Sequence, residues 1–72
     1  MNALHAELLA AHEANDTAAL IGLYAQAADH AEDVDAACFF LTHALVFALE
    51  AGDSRAQQLR ARLVRHGREL AD

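Results

Sequence analysis

Proline and lysine are absent from this chain, and cysteine occurs once. Without proline the strongest helix breaker is missing; alanine is abundant and β-branched residues are few, so helix is cheap throughout. No stretch alternates apolar and polar residues as a half-buried strand does. The expected class is therefore all-α. A lone Cys38 permits no intrachain disulfide and no cysteine-based zinc motif; inside Cys38-Phe39-Phe40-Leu41 it reads as a small buried hydrophobe. The opening Met-Asn-Ala-Leu-His-Ala-Glu holds neither a basic segment nor a long apolar one. No secretory leader is expected, and the location expected is cytoplasmic, of the bacterial type. No Gly-rich phosphate loop, nucleophile motif or Glu-x-x-His pair occurs. His43 stands about 140° round a helix from Cys38, poor geometry for a thiolate pair. The chain does not read as an enzyme, and no cofactor is implied.

What is present is dominated by one stretch. From Ala36 to Ala51 only Thr42, His43 and Glu50 interrupt the apolar character, and all three phenylalanines lie within it. It is too long for a buried strand and reads as a helix of about four turns, most of whose circumference needs cover. It falls short of the roughly 18 uninterrupted apolar residues of a membrane span, so that cover is expected to be protein and not lipid. A chain of 72 residues makes one small domain. At this size only about 60% of the unfolded chain's surface is buried, and close helix packing or a partner is needed.

Three further helices are expected around it. The first runs from about Asn2, a possible N-cap, to Ala14, with Leu4, Leu8 and Ala11 on one face and Leu9, His5 and His12 beside it. Asn15-Asp16 breaks it, and Asp16 can cap a second helix from Thr17 to about His30. There Leu20, Ile21, Leu23, Tyr24, Ala27, Ala28 and Ala31 share an apolar arc opposite Gly22, Gln26, Asp29 and His30. Residues 31–35 form an acidic link. Gly52 suits the left-handed position that ends the third helix, and Asp53 or Ser54 caps a fourth, running to about Leu70, with Ala56, Leu59 and Leu63 inward. Arg55, Arg62, Arg65 and Arg68 sweep round its other side. Connections this short make neighbouring helices antiparallel.

Charge is divided along the chain. Nine acids and no Lys or Arg precede Arg55; from Arg55 onward stand five arginines and two acids, giving a net charge of −6. The two parts carry opposite fields.

Within the second and third helices, Ile21-x2-Tyr24-Ala25-x2-Ala28 and Ala37-x3-Leu41-x2-Ala44 resemble the large and small positions of a tetratricopeptide repeat. Ala48-x2-Ala51-Gly52-Asp53-x2-Ala56 is similar to the junction into a following repeat. Small residues at Ala25, Ala37 and Ala44 allow close helix approach, and Ile21, Tyr24 and Leu41 fill the space around them. The resemblance covers about residues 18–56. Ile21 stands where the family has Trp, Ala25 where it has Gly, Ala28 where it has an aromatic and Leu49 where it has Pro. What the resemblance implies is a right-handed stack of helical hairpins, the first and last helices capping its ends, that binds peptides or proteins. The alternative architecture is a four-helix bundle.

Candidate contact residues follow from surplus apolar surface. Phe39 and Val46 fall on the most polar arc of the third helix, with Thr42, His43 and Glu50, and Phe47 lies just beyond. An uncovered patch of that kind marks an interface, met most simply by a two-fold homodimer or by a peptide or protein partner. The residues expected to carry it are Tyr24, Phe39, Phe40, His43, Val46 and Phe47, with Arg62 and Arg65 as electrostatic helpers. The competing class is a small-molecule or metal binder with a pocket between helices lined by Tyr24, Cys38, Phe40 and His43. The five histidines lack the i, i+3 or i, i+4 spacing of helical metal ligands, and no metal site is expected. Absent lysine, no stacking aromatics in the fourth helix and an acidic remainder oppose nucleic-acid binding.

Overall fold

The computed structural model describes residues 3–67, in which four helices occur: α1 (Ala3–Ala14), α2 (Thr17–Asp29), α3 (Val34–Ala51) and α4 (Arg55–Arg65). Asn2 at the expected first cap, and Arg68 and Leu70 at the expected end of the last helix, lie outside the described residues.

Short polar side chains and left-handed residues set the junctions. After α1, Asn15 takes φ 55°. The Asp16 N–H donates to the Ala11 carbonyl at 2.9 Å and the Asn15 N–H to that of His12 at 3.2 Å, satisfying carbonyls that a helix end leaves without partners. Asp16 also caps α2, its Oδ1 accepting the Ala19 N–H at 3.2 Å. Gly52 ends α3 in the same way, with φ 64° and the Asp53 N–H donating to the Ala48 carbonyl at 2.9 Å.

The start of α3 corrects the expected boundary. Asp33 is the cap, its Oδ1 accepting the Ala36 N–H at 2.8 Å, so Val34 and Asp35 form the first turn. Acids at the cap and first turn suit the positive end of the helix, which draws the later part of the acidic run into it. At α4 the Ser54 side chain makes no capping bond. Asp53 holds that turn: its Oδ1 accepts the Arg55 N–H at 2.9 Å and Nε at 3.0 Å, and its Oδ2 accepts Nη2 at 2.9 Å. These bonds, the guanidinium's first and the backbone's second, lower the Asp53 carboxyl from 3.8 to about 2. Helix α4 stops at Arg65, short of the expected Leu70; beyond it Gly67 adopts φ 73°.

Helices α2 and α3 share the largest interface, with α1 packed on α2 and α4 on α3. Ile21, Leu41 and Leu63 are fully buried, and buried Ala28, Ala44 and Ala48 let the backbones approach. No polar side chain is buried among the described residues. Helix α4 runs parallel to α2, because Arg55 at its start reaches the Ala18 carbonyl at 3.3 Å and Arg62 near its end reaches Asp29 at 2.6 Å. Helix α1 runs parallel to α3: Leu4 and Leu8 near its start share a hollow with Phe40, and His12 near its end meets the ring of Phe47. The helices thus alternate between two layers, α1 and α3 in one, α2 and α4 in the other. The principal extents, 35 × 29 × 12 Å, describe a flat slab. Two helical layers with axes 8–10 Å apart and staggered have roughly that thickness.

With Val34 and Asp35 added, α3 reaches 18 residues at a mean hydropathy of 1.6, long and apolar enough by those measures to cross a membrane. Core helices of water-soluble proteins meet the same measures. Cys38, Leu41, Ala44, Leu45 and Ala48, 28% of the helix, are buried within the fold.

Candidate functional site

The 100° step of a helix gives α3 three distinct sides. The first is the core side, Cys38, Leu41, Ala44, Leu45 and Ala48. The second lies about 100° round from it, on the α4 side, and carries Phe39, Thr42, Val46 and Leu49 at spacings of three, four and three. Phe39 is 59% exposed, Val46 48% and Leu49 62%, and Thr42 is exposed as well. This alternation of three and four is the one with which helices form a seam along a partner helix. Thr42 satisfies its own hydroxyl by donating to the Cys38 carbonyl at 2.8 Å, so it imposes no polar partner on whatever lies against it.

The third side carries Phe40 and Phe47 toward α1 and α2, and here the rings gather. Tyr24 of α2 stacks on His43 (centroids 5.2 Å, planes 22°) and on Phe47 (5.8 Å, 21°), and lies tilted against Phe40 at 6.3 Å. His12 of α1 meets Tyr24 and Phe47 edge-on, and its Nε2 and the Tyr24 hydroxyl are hydrogen-bonded at 2.9 Å. Phe39 joins the cluster to the outward seam, touching Phe40 and, at 4.5 Å, His43. His43 Nδ1 donates to the Phe39 carbonyl at 2.9 Å, which puts the neutral ring's proton on Nδ1 because a carbonyl only accepts.

Of the residues the sequence singles out, Tyr24, Phe39, Phe40, His43 and Phe47 come together in this cluster, and Val46 stands on the seam beside it. Arg62 is engaged within the chain, its Nη2 donating to Asp29 Oδ1 at 2.6 Å, and Arg65 is exposed on α4. Sequence reasoning did not select His12, which only the α1–α2 crossing brings to Tyr24, or Leu49. Leu49 was legible: it follows Val46 by three and Phe39 by ten.

The alternative pocket does not assemble from its four residues. Cys38 and His43 border a hollow with Asp35, Phe39 and Thr42, whereas Phe40 borders others with Leu4 and Ala27. Phe40 and Cys38 lie about 160° apart on the helix, which separates them. Among the described residues no group of three or more His, Cys, Asp or Glu is arranged to hold a metal ion. The chain matches no protein-family model, no curated protein and no solved structure.

Proposed function

We propose that this chain is a non-enzymatic, tetratricopeptide-like module for self-association or protein binding, acting in the cytoplasm through the outward seam of α3. One observation carries the proposal: the helix that supplies more buried core residues than any other described helix also leaves Phe39, Val46 and Leu49 about half or more exposed. Three large apolar side chains in one row on a domain this small form a patch of the kind that associates. The occupant is a homo-oligomer, of which a dimer is the smallest, or a peptide or protein partner. The repeat-like reading is supported by the positions that resemble the family's large and small sites: Ile21, Leu41 and Ala44 are buried and Tyr24, Ala25 and Ala37 half-buried. The two-layer alternation of helices is also the order of a hairpin stack.

The experiment compares wild type with Phe39→Asp by light scattering from micromolar to millimolar concentration, with capture of partners from a lysate alongside. Wild-type mass is expected to rise with concentration, while Phe39→Asp stays monomeric with unchanged helical circular dichroism. A wild type that remains monomeric and captures nothing dependent on Phe39 contradicts the proposal.

A further inference from the structure

The assembly's geometry can be taken further, on the basis of the self-association reading above. Within its layer α3 has α1 beside its Phe40–Phe47 flank. On the other flank, beside α4, lies the exposed row Phe39, Thr42, Val46 and Leu49. A helix laid along that row in the α1–α3 layer, resting on α4, would be the next member of the alternation.

We propose that α1 of a second copy takes this position, so that copies stack head to tail. Helix α1 is the one that already lies in α3's layer and runs in α3's direction. Its flank turned away from α3 carries Ala3, Glu7, Ala10 and Ala14, all exposed and spaced four, three and four, the same seam periodicity. Large side chains on the α3 seam then meet Ala3, Ala10 and Ala14 on the incoming helix, three small residues that allow close approach. Charge selects the same pairing. Helix α1 carries Glu7 and Glu13 and no Lys or Arg, whereas α4 carries four arginines and no acid; Arg55 and Arg62 pair with Asp53 and Asp29, and Arg65 is exposed. Opposite fields steer such an encounter. A two-fold pairing of α3 seam with α3 seam about an axis normal to the slab would instead set α4 beside α4, arginine toward arginine. The head-to-tail contact is heterologous, so it propagates instead of closing on itself.

Two variants at exposed positions test it: Val46→Glu blocks the seam, and Ala10→Lys blocks the α1 flank with bulk and with charge of the sign carried by α4. Each alone is expected to be monomeric by sedimentation velocity, with wild-type circular dichroism. Mixed in equal amounts, they are expected to give one species of twice the monomer mass, because each supplies the edge the other lacks. Added salt should weaken that species. If Ala10→Lys alone still dimerises, or the mixture stays monomeric while wild type associates, the head-to-tail geometry is overturned and self-association stands. A wild type monomeric at all concentrations overturns both.

Discussion

Leu41 and Leu49 have the same side chain on the same helix, at 0% and 62% exposure, and replacing each with alanine tests the assignment of α3's sides. Leu41 sits where α2, α3 and α4 meet, in contact with the cluster that includes Ile21, Leu45 and Leu63. Leu41→Ala removes the buried side chain and leaves a cavity, which costs about 2–5 kcal/mol. At roughly 4–8 °C per kcal/mol for a domain of this size, the midpoint should fall by about 8–40 °C. Leu49 has little burial to lose, so Leu49→Ala should cost less than about 1 kcal/mol, partly offset by alanine's better helix propensity. The assay is thermal and urea unfolding by circular dichroism at a concentration where the protein is monomeric. Total stability at this length is of the order of 4–11 kcal/mol, so Leu41→Ala can fail to fold. Ile21→Val, at a fully buried position, gives a smaller step of about 0.5–1.5 kcal/mol on the same interface. Equal destabilisation by Leu41→Ala and Leu49→Ala would refute the assignment, as would an Ile21→Val protein as stable as wild type.

Two further outcomes follow from the junctions. Asn15 holds φ 55°, a conformation that disfavours a side chain with no polar group to bond locally, so Asn15→Ala should cost about 1 kcal/mol while Asn15→Gly is neutral or stabilising in urea unfolding. Asp53 has a folded-state value of about 2 against 3.8; its depressed pKa contributes stability above the unfolded value that is lost as pH falls through the folded one. The gap in urea midpoint between wild type and Asp53→Asn should therefore be present at neutral pH, shrink below the unfolded value and close near pH 2; a gap independent of pH would contradict the Asp53–Arg55 pairing.

The helices and their inward residues were legible because amphipathic period and capping chemistry are local. Leu20, Ile21, Ala27 and Ala28 are buried and Gly22, Gln26, Asp29 and His30 exposed, as a wheel of α2 predicts. Gly52 and Asp16 act as their residue types suggest. The outward position of Phe39 and Val46 was legible for the same reason. The start of α3 was not, because an acidic run reads equally as a link or as a cap with its first turn, and only the bond from Ala36 to Asp33 distinguishes them. Arg62 as an intrachain partner of Asp29 was hidden too. Pairing across 33 residues depends on α2 and α4 running parallel, which no local pattern encodes. His12 beside Tyr24 depends in the same way on how two helices cross.

The most direct measurement of whether α3 serves two masters, its own core and another chain, is a dilution series followed by methyl NMR. From millimolar to micromolar protein, the methyl signals of Val46 and Leu49 should move progressively while those of Leu41 and Leu63 stay fixed. Spectra that superimpose at every concentration, with no added partner shifting Val46 or Leu49, would contradict the account.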